Sequence, residues 1–261
     1  MPRSTVWHNL RALRKIGLIQ FGSGREIRIS QKEPTIGVVG GFGPETTVEF
    51  FSKLLDLGRK NGHKPKLVIS NAAVPSEVEE CAINGEPEAA LPFAKECVQK
   101  LNSAGVSFIV IPCNTIHLFF DEFKAISEVP IMSIIDETIS ELKRRDISCI
   151  GLLATSTTVR TRLFQKAFSK NGIRTIVPES AEQKFVSGAI ANVLSTGKPS
   201  SKDSKNIDSI INKLKKRGAQ KILLACTDLQ FFVSENPDVI DTLDVLAKAA
   251  IRRASEGGTH A

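Results

Sequence analysis

The chain repeats itself. Thr35-Ile36-Gly37-Val38-Val39-Gly40-Gly41 is a short apolar run ending in glycine, and Ile150-Gly151-Leu152-Leu153-Ala154-Thr155 restates it 114 residues later. A second pair is offset by 113 residues: Phe108-Ile109-Val110-Ile111-Pro112-Cys113-Asn114-Thr115 and Lys221-Ile222-Leu223-Leu224-Ala225-Cys226-Thr227-Asp228. Two matched pairs at nearly equal offsets indicate an internal duplication. Further apolar runs at Leu67-Val68-Ile69, Ile131 to Ile134 and Ile173 to Val177 alternate with segments of helical spacing. Continuously apolar strands between helices belong in a parallel sheet, because helices cover both of its faces. The expected fold is therefore α/β, with two similar lobes of parallel sheet related by pseudo-twofold symmetry and a site between them. Lobe 1 takes residues 35–133 completed by 230–255, with a helix near 240–254. Lobe 2 takes residues 134–229. Ligands of such sheets bind outside the carboxyl ends of the strands, where Cys113 and Cys226 fall.

Composition narrows the class. With 261 residues, 41% hydrophobic and 24% charged, the chain can bury a full core and is neither disordered nor fibrous. No apolar run reaches transmembrane length and no signal-peptide pattern opens the chain. Five cysteines without CxxC spacing argue against a disulfide framework or a zinc site and fit a reducing compartment. The expectation is a cytoplasmic protein with no membrane partner and no metal.

The net charge of +7 is unevenly placed. Residues 1–34 hold seven basic side chains against two acidic ones, which leaves +2 for the other 227 residues. Val6, Leu10, Leu13 and Ile16 have helical spacing, and Gly17 ends that segment. Gln20-Phe21 and Arg25 to Ser30 read as two short strands around Gly22-Ser23-Gly24. The segment resembles the recognition helix and wing of winged helix-turn-helix regulators, whose helix enters the DNA major groove. The resemblance covers the last half of such a domain and lacks its core. Packing on the main body or on a partner subunit is therefore the leading reading of residues 1–34, ahead of nucleic-acid binding.

The cysteines carry the chemistry. If the lobes face each other, Cys113 and Cys226 approach one cleft from opposite sides. Inverting a carbon stereocentre needs such a pair, one thiolate removing the proton and the opposing thiol returning one to the other face. A thiol near its ordinary pKa of about 8.5 needs only a modest shift to serve. The carbanion beside a carboxylate needs hydrogen-bond donors. Asn114, Thr115, Thr155, Thr227 and the amides around Gly41 and Phe42 end the relevant strands. A lone cysteine after an apolar run is ordinarily a small buried hydrophobe. Equivalent placement on duplicated strands, with polar residues following, favours chemistry for these two. Cys81, Cys97 and Cys149 lack that context, and His117 has apolar flanks and reads as structural. Gly40-Gly41-Phe42-Gly43 lacks the Lys-Ser/Thr of a P-loop and is not a dinucleotide fingerprint.

Gly40-Gly41-Phe42-Gly43-Pro44-Glu45-Thr46-Thr47, Pro112-Cys113-Asn114-Thr115-Ile116-His117, Leu153-Ala154-Thr155 and Cys226-Thr227-Asp228 resemble the aspartate/glutamate racemase family in content and order. The resemblance covers about residues 35–255. It implies racemisation of an acidic amino acid without pyridoxal phosphate or metal, hence no cofactor, and commonly a homodimer. It makes Cys113 and Cys226 the proton donor and acceptor. It also implies substrate contacts at Phe42, Asn114, Thr115, Thr155 and Thr227, with Lys184 binding a substrate carboxylate. Departures are Ala225 for glycine, Asp228 for glutamate, and Ala154-Thr155 for Gly-Thr. Aspartate-specific members carry Pro-Asp-Arg where this chain has Pro75-Ser76-Glu77, followed by Glu79 and Glu80. An acid there repels a dicarboxylate. Glutamate racemases carry histidine where Asp228 stands. Aspartate is the first substrate expectation. Alternatives are a broad-specificity, glutamate- or hydantoin-type racemase, or an amino-acid-sensing transcription regulator on the same scaffold.

Overall fold

The computed structural model describes residues 9–11, 13, 19–21, 27–29 and 34–256. The expected helix and hairpin of the basic segment thus lie mostly outside the described residues. Within it, residues 9–11 and 13 are helical, and β1 (Ile19–Phe21) pairs antiparallel with β2 (Ile27–Ile29).

The main body is two α/β lobes. The first runs β3 (Thr35–Gly40), α1 (Pro44–Lys60), β4 (Lys66–Asn71), α2 (Ser76–Asn84), α3 (Leu91–Ser103), β5 (Phe108–Val110), α4 (Phe120–Ile126), β6 (Ile131–Met132) and α5 (Ile134–Arg144). The second runs β7 (Cys149–Leu153), α6 (Ser156–Arg160), α7 (Leu163–Lys170), β8 (Arg174–Ile176), α8 (Ser180–Thr196), α9 (Ser201–Lys216), β9 (Lys221–Leu224), β10 (Val239–Asp241) and α10 (Thr242–Glu256). The sheets are β4-β3-β5-β6 and β8-β7-β9-β10, each wholly parallel. The four strands of each lobe therefore sit in the same order, second-first-third-fourth, which is the duplication expressed as topology.

The central strands are as apolar as their place requires. Every residue of β5 and β7 is buried, as is all of β3 after Thr35. The last helix of each lobe crosses over: α10 packs on α1 and α5, and α5 reaches α7. One core therefore runs between the lobes, joining Ile36, Val38 and Phe50 to Ile150, Leu152 and Phe164 through Leu246 and Ile251. Each such fully buried side chain contributes about 1.5–3 kcal/mol.

Three local outcomes differ from the apolar pattern. The run from Ile131 ends at Met132, because the Ser133 hydroxyl accepts a hydrogen bond from Asp136 N (3.1 Å) and starts α5. The helical segment after β7 forms as two helices, separated at Arg162, whose φ of 57° breaks the helical path. Val239–Asp241, assigned to lobe 1 with residues 230–255, pairs with β9 in the second sheet, and only the helix after it turns to lobe 1. Among the described residues, no helix is long and apolar enough to cross a membrane.

Candidate active site

Both cysteines lie just past the carboxyl ends of equivalent third strands, β5 and β9. Two side-chain links hold their loops together. Thr227 Oγ1 donates to Pro112 O across the lobes (3.2 Å). Asn114 Nδ2 donates to Thr242 Oγ1 (2.9 Å), which in turn donates to Leu224 O (2.9 Å). The two thiols then line one cavity of about 50 Å³, together with Thr115, Thr155 and Asp228. Its remaining wall is Phe42 and the apolar side chains Val74, Ala82, Ile83, Ala90, Ile190 and Leu194, interrupted by Glu79.

The glycine loop brings α1 and Asp228 close. Gly41 (φ 91°) lies so near Ala72 that a β-carbon there would sit 2.0 Å from its carbonyl oxygen. At Gly43 (φ 88°) a β-carbon would sit 2.7 Å from Asp228 Oδ1. That opening lets Thr46, in the first turn of α1, donate its hydroxyl to Asp228 Oδ1 (2.6 Å). The other carboxylate oxygen, Oδ2, accepts from Cys226 Sγ (3.7 Å). Opposite them the Thr155 hydroxyl caps α6 by accepting from Thr158 N (3.1 Å), and it lies 3.2 Å from Thr115 Oγ1. Thr158 completes this hydroxyl cluster. Helix α2 closes the cavity from lobe 1 and is fastened to lobe 2. Thr157 Oγ1 donates to Ile83 O (2.8 Å) and Arg160 Nη2 donates to Gly85 O (3.0 Å).

Burial sets the electrostatics. It pushes the Cys113 thiol up to about 12, although the N–H groups of Ile116 and Thr115 pull the other way. Burial likewise holds the Cys226 thiol well above its ordinary value, and the Asp228 charge adds to the effect. Burial raises the Asp228 carboxyl to about 6, against the Thr46 and Cys226 hydrogen bonds. Burial also raises Glu79 to about 7, helped by the charges of Asp228 and Glu45 and opposed by a hydrogen bond from Gly43 N (3.3 Å). At neutral pH the site therefore holds two thiols, an Asp228 carboxyl that is mostly ionised and a Glu79 carboxyl near its midpoint. Of these carboxylates, Asp228 is the one that already takes a thiol hydrogen bond, from Cys226.

His117 is structural, as its apolar flanks suggested. Its Nε2 accepts from Ile134 N (3.2 Å), so the ring proton is on Nδ1 and is donated to Cys113 O (2.7 Å). Burial holds its pKa down at about 4, which keeps the ring neutral.

The structure thus gathers Cys113, Cys226, Phe42, Thr115 and Thr155 around the cavity and places other expected residues differently. Asn114 and Thr227 are buried beside it with their hydrogen bonds directed between the lobes. Lys184 is exposed on α8 and does not line the cavity. Thr46 and Thr158 are site residues to which the motifs gave no role, and Glu79 stood out only as one of the acids near the Pro-Asp-Arg position. Their signals are weak: Glu79 is one of several acids on α2, and the two threonines matter only through partners distant in sequence.

A family model, Asp/Glu/hydantoin racemase, matches residues 39–250. The chain belongs to this racemase family. The broad specificity amino-acid racemase RacX of Bacillus subtilis (strain 168) is 26% identical over 226 residues, spanning 83% of this chain and 96% of RacX. The Picrophilus torridus aspartate racemase structure is 29% identical with a TM-score of 0.71, covering 85% of this chain and 94% of that one. An aspartate racemase homologue from Pyrococcus horikoshii OT3 shares the fold at 24% identity and a TM-score of 0.69, covering 86% of this chain and all of that one. As a racemase-family chain this protein is an isomerase.

Proposed function

We propose that this racemase inverts the α-carbon of an amino acid by a two-base transfer between Cys113 and Cys226. The reading rests on one observation: two thiols from equivalent strand ends line a single cavity. One cysteine, as thiolate, takes the α-proton and becomes a thiol. The electron pair left on the α-carbon is delocalised into the substrate carboxylate, whose oxygens meet the Thr115 and Thr155 hydroxyls. The opposite cysteine gives its proton to the other face and is left as thiolate. Each turnover exchanges the two roles, so both directions use the same pair.

Thiols raised this far need help to ionise. At Cys226 the acceptor is Asp228, whose carboxylate oxygen already takes its S–H hydrogen bond. At Cys113 the N–H groups of Thr115 and Ile116 stabilise the thiolate. The α-ammonium of a bound substrate adds positive charge near both. Thr46 holds Asp228 in line.

Aspartate, the substrate first expected, brings a second carboxylate. Among the described residues no Lys or Arg lines the cavity, whereas Glu79 does. These residues support a racemase whose side-chain range reaches beyond aspartate, in line with the broad-specificity alternative. Chiral chromatography of a panel of L-amino acids incubated with purified protein tests this. D-enantiomers from uncharged substrates are expected, and turnover confined to aspartate would overturn the specificity. The regulator alternative depends on residues 1–34 and has no comparable support.

A further inference from the structure

Outside the cysteine cavity lies a second, open space of about 470 Å³ between α2 and α8. Glu77, Glu79 and Glu80 line its α2 side, and Ser187, Asn192 and Ser195 its α8 side. Among the described residues, no Lys or Arg lines it. Three glutamates on one helix are ordinarily a solvated acidic face. Here Glu79, Ile83 and Leu194 line both spaces, so the acidic groove is the continuation of the cavity that holds both thiols.

Charge counting gives this continuity its meaning. With neutral thiols, the ionised cavity carries the two carboxylates of Glu79 and Asp228 and, among the described residues, no cation. A zwitterionic amino acid leaves that total unchanged. An acidic side chain adds a third negative charge in a confined apolar space, whereas an amino side chain removes one. The two carboxylates are not equivalent. Asp228 is engaged on both oxygens, by Thr46 and Cys226. Glu79 accepts only the Gly43 N–H (3.3 Å) and forms no ion pair among the described residues. The wall leading to it is Val74, Ala82, Ile83 and Leu194. An apolar channel ending in a free carboxylate complements a chain of methylenes ending in an ammonium.

We propose that Glu79 is a specificity-determining residue that receives a cationic substrate side chain, so that the racemase prefers diamino acids over dicarboxylic ones. The groove carries the ammonium head and its remaining water, with Glu77 and Glu80 adding to the field. This inference rests on the racemase reading above and deepens it.

The test compares kcat/KM for L-ornithine, L-lysine, L-alanine and L-aspartate, using the full chain and Glu79→Gln, by chiral chromatography. Ornithine or lysine is expected to exceed aspartate by at least about tenfold in the wild-type protein. Glu79→Gln is expected to lower the ornithine-to-alanine ratio by at least about tenfold, because the amide keeps the size and loses the charge. The ratio within one variant corrects for any loss of folded protein. Alanine turnover with no advantage of ornithine over aspartate would overturn the role of Glu79 and leave the racemase reading standing. An unchanged ratio in Glu79→Gln would do the same. No D-enantiomer from any substrate would remove both.

Discussion

Cys113→Ala and Cys226→Ala are each expected to lower racemisation by at least about a thousandfold without unfolding the protein. Alanine cannot accept or return a proton, so inversion loses one of its two faces. The fold survives because each cysteine is a small side chain at a strand end, and the cross-lobe bonds of Thr227 and Asn114 do not use the thiols. The loss is selective in a second way. A single variant keeps one thiol, so it retains α-proton exchange with solvent for the enantiomer that presents its hydrogen to that thiol. Chiral chromatography reads the inversion and proton NMR in D2O reads the exchange. An alanine variant that still racemises at the wild-type rate would remove that cysteine from the chemistry.

Asp228→Asn is expected to reduce turnover by about a hundredfold or more and at the same time to stabilise the protein above pH 6. The amide retains the shape and a bond to Thr46 but cannot take the Cys226 proton. The stability change follows from the carboxyl being raised from 3.8 to about 6 in the fold. A group whose folded pKa exceeds its unfolded value favours the native state at low pH, below about 3.8, and loses that contribution as pH rises through about 6. Ionised Asp228 is therefore a cost to the native state at neutral pH. A neutral isostere removes a cost of roughly 1–3 kcal/mol. Activity has the opposite dependence. With an uncharged amino acid as substrate, wild-type kcat/KM rises with pH through about 6 as Asp228 becomes an acceptor, and Asp228→Asn loses this limb. Glu79, the neighbouring acid near pH 7, supplies a second limb for cationic substrates. Thermal midpoints and pH–rate profiles measured side by side check both halves. Unchanged turnover with lowered stability would make Asp228 a structural residue.

Much of this site was legible in the sequence because duplication is a periodic signal. The offset between Ile36 and Ile150, and between Cys113 and Cys226, placed four strands and two reacting groups before any contact was known. Those same strands occupy equivalent positions in their sheets. Val239–Asp241 escaped this reasoning because three residues carry no period, so its sheet is decided by pairing with β9. Ser133 and Arg162 redirect the chain through one cap and one positive φ, single-residue events inside apolar surroundings. The partners of Asn114 and Thr227, the Thr242 hydroxyl and the Pro112 carbonyl, are far away in sequence, so motif position alone could not tell a substrate contact from a link between lobes. The acids of α2 were visible as a departure from the aspartate-specific pattern. Only the fold shows that Glu79, not Glu77, is the one that lines the cavity.

The two-thiol transfer is tested most directly by running the reaction in D2O from a single pure enantiomer of a substrate the protein turns over. Deuterium at the α-carbon is then followed separately in substrate and product by mass spectrometry after chiral separation. If opposing thiols act on opposite faces, early product carries deuterium in every molecule, while the remaining substrate stays almost wholly protiated. Deuterium entering both enantiomers equally from the first turnovers would mean one base serves both faces, and product that keeps its original hydrogen would mean the proton never leaves for a second donor. Either result would contradict the assignment of Cys113 and Cys226.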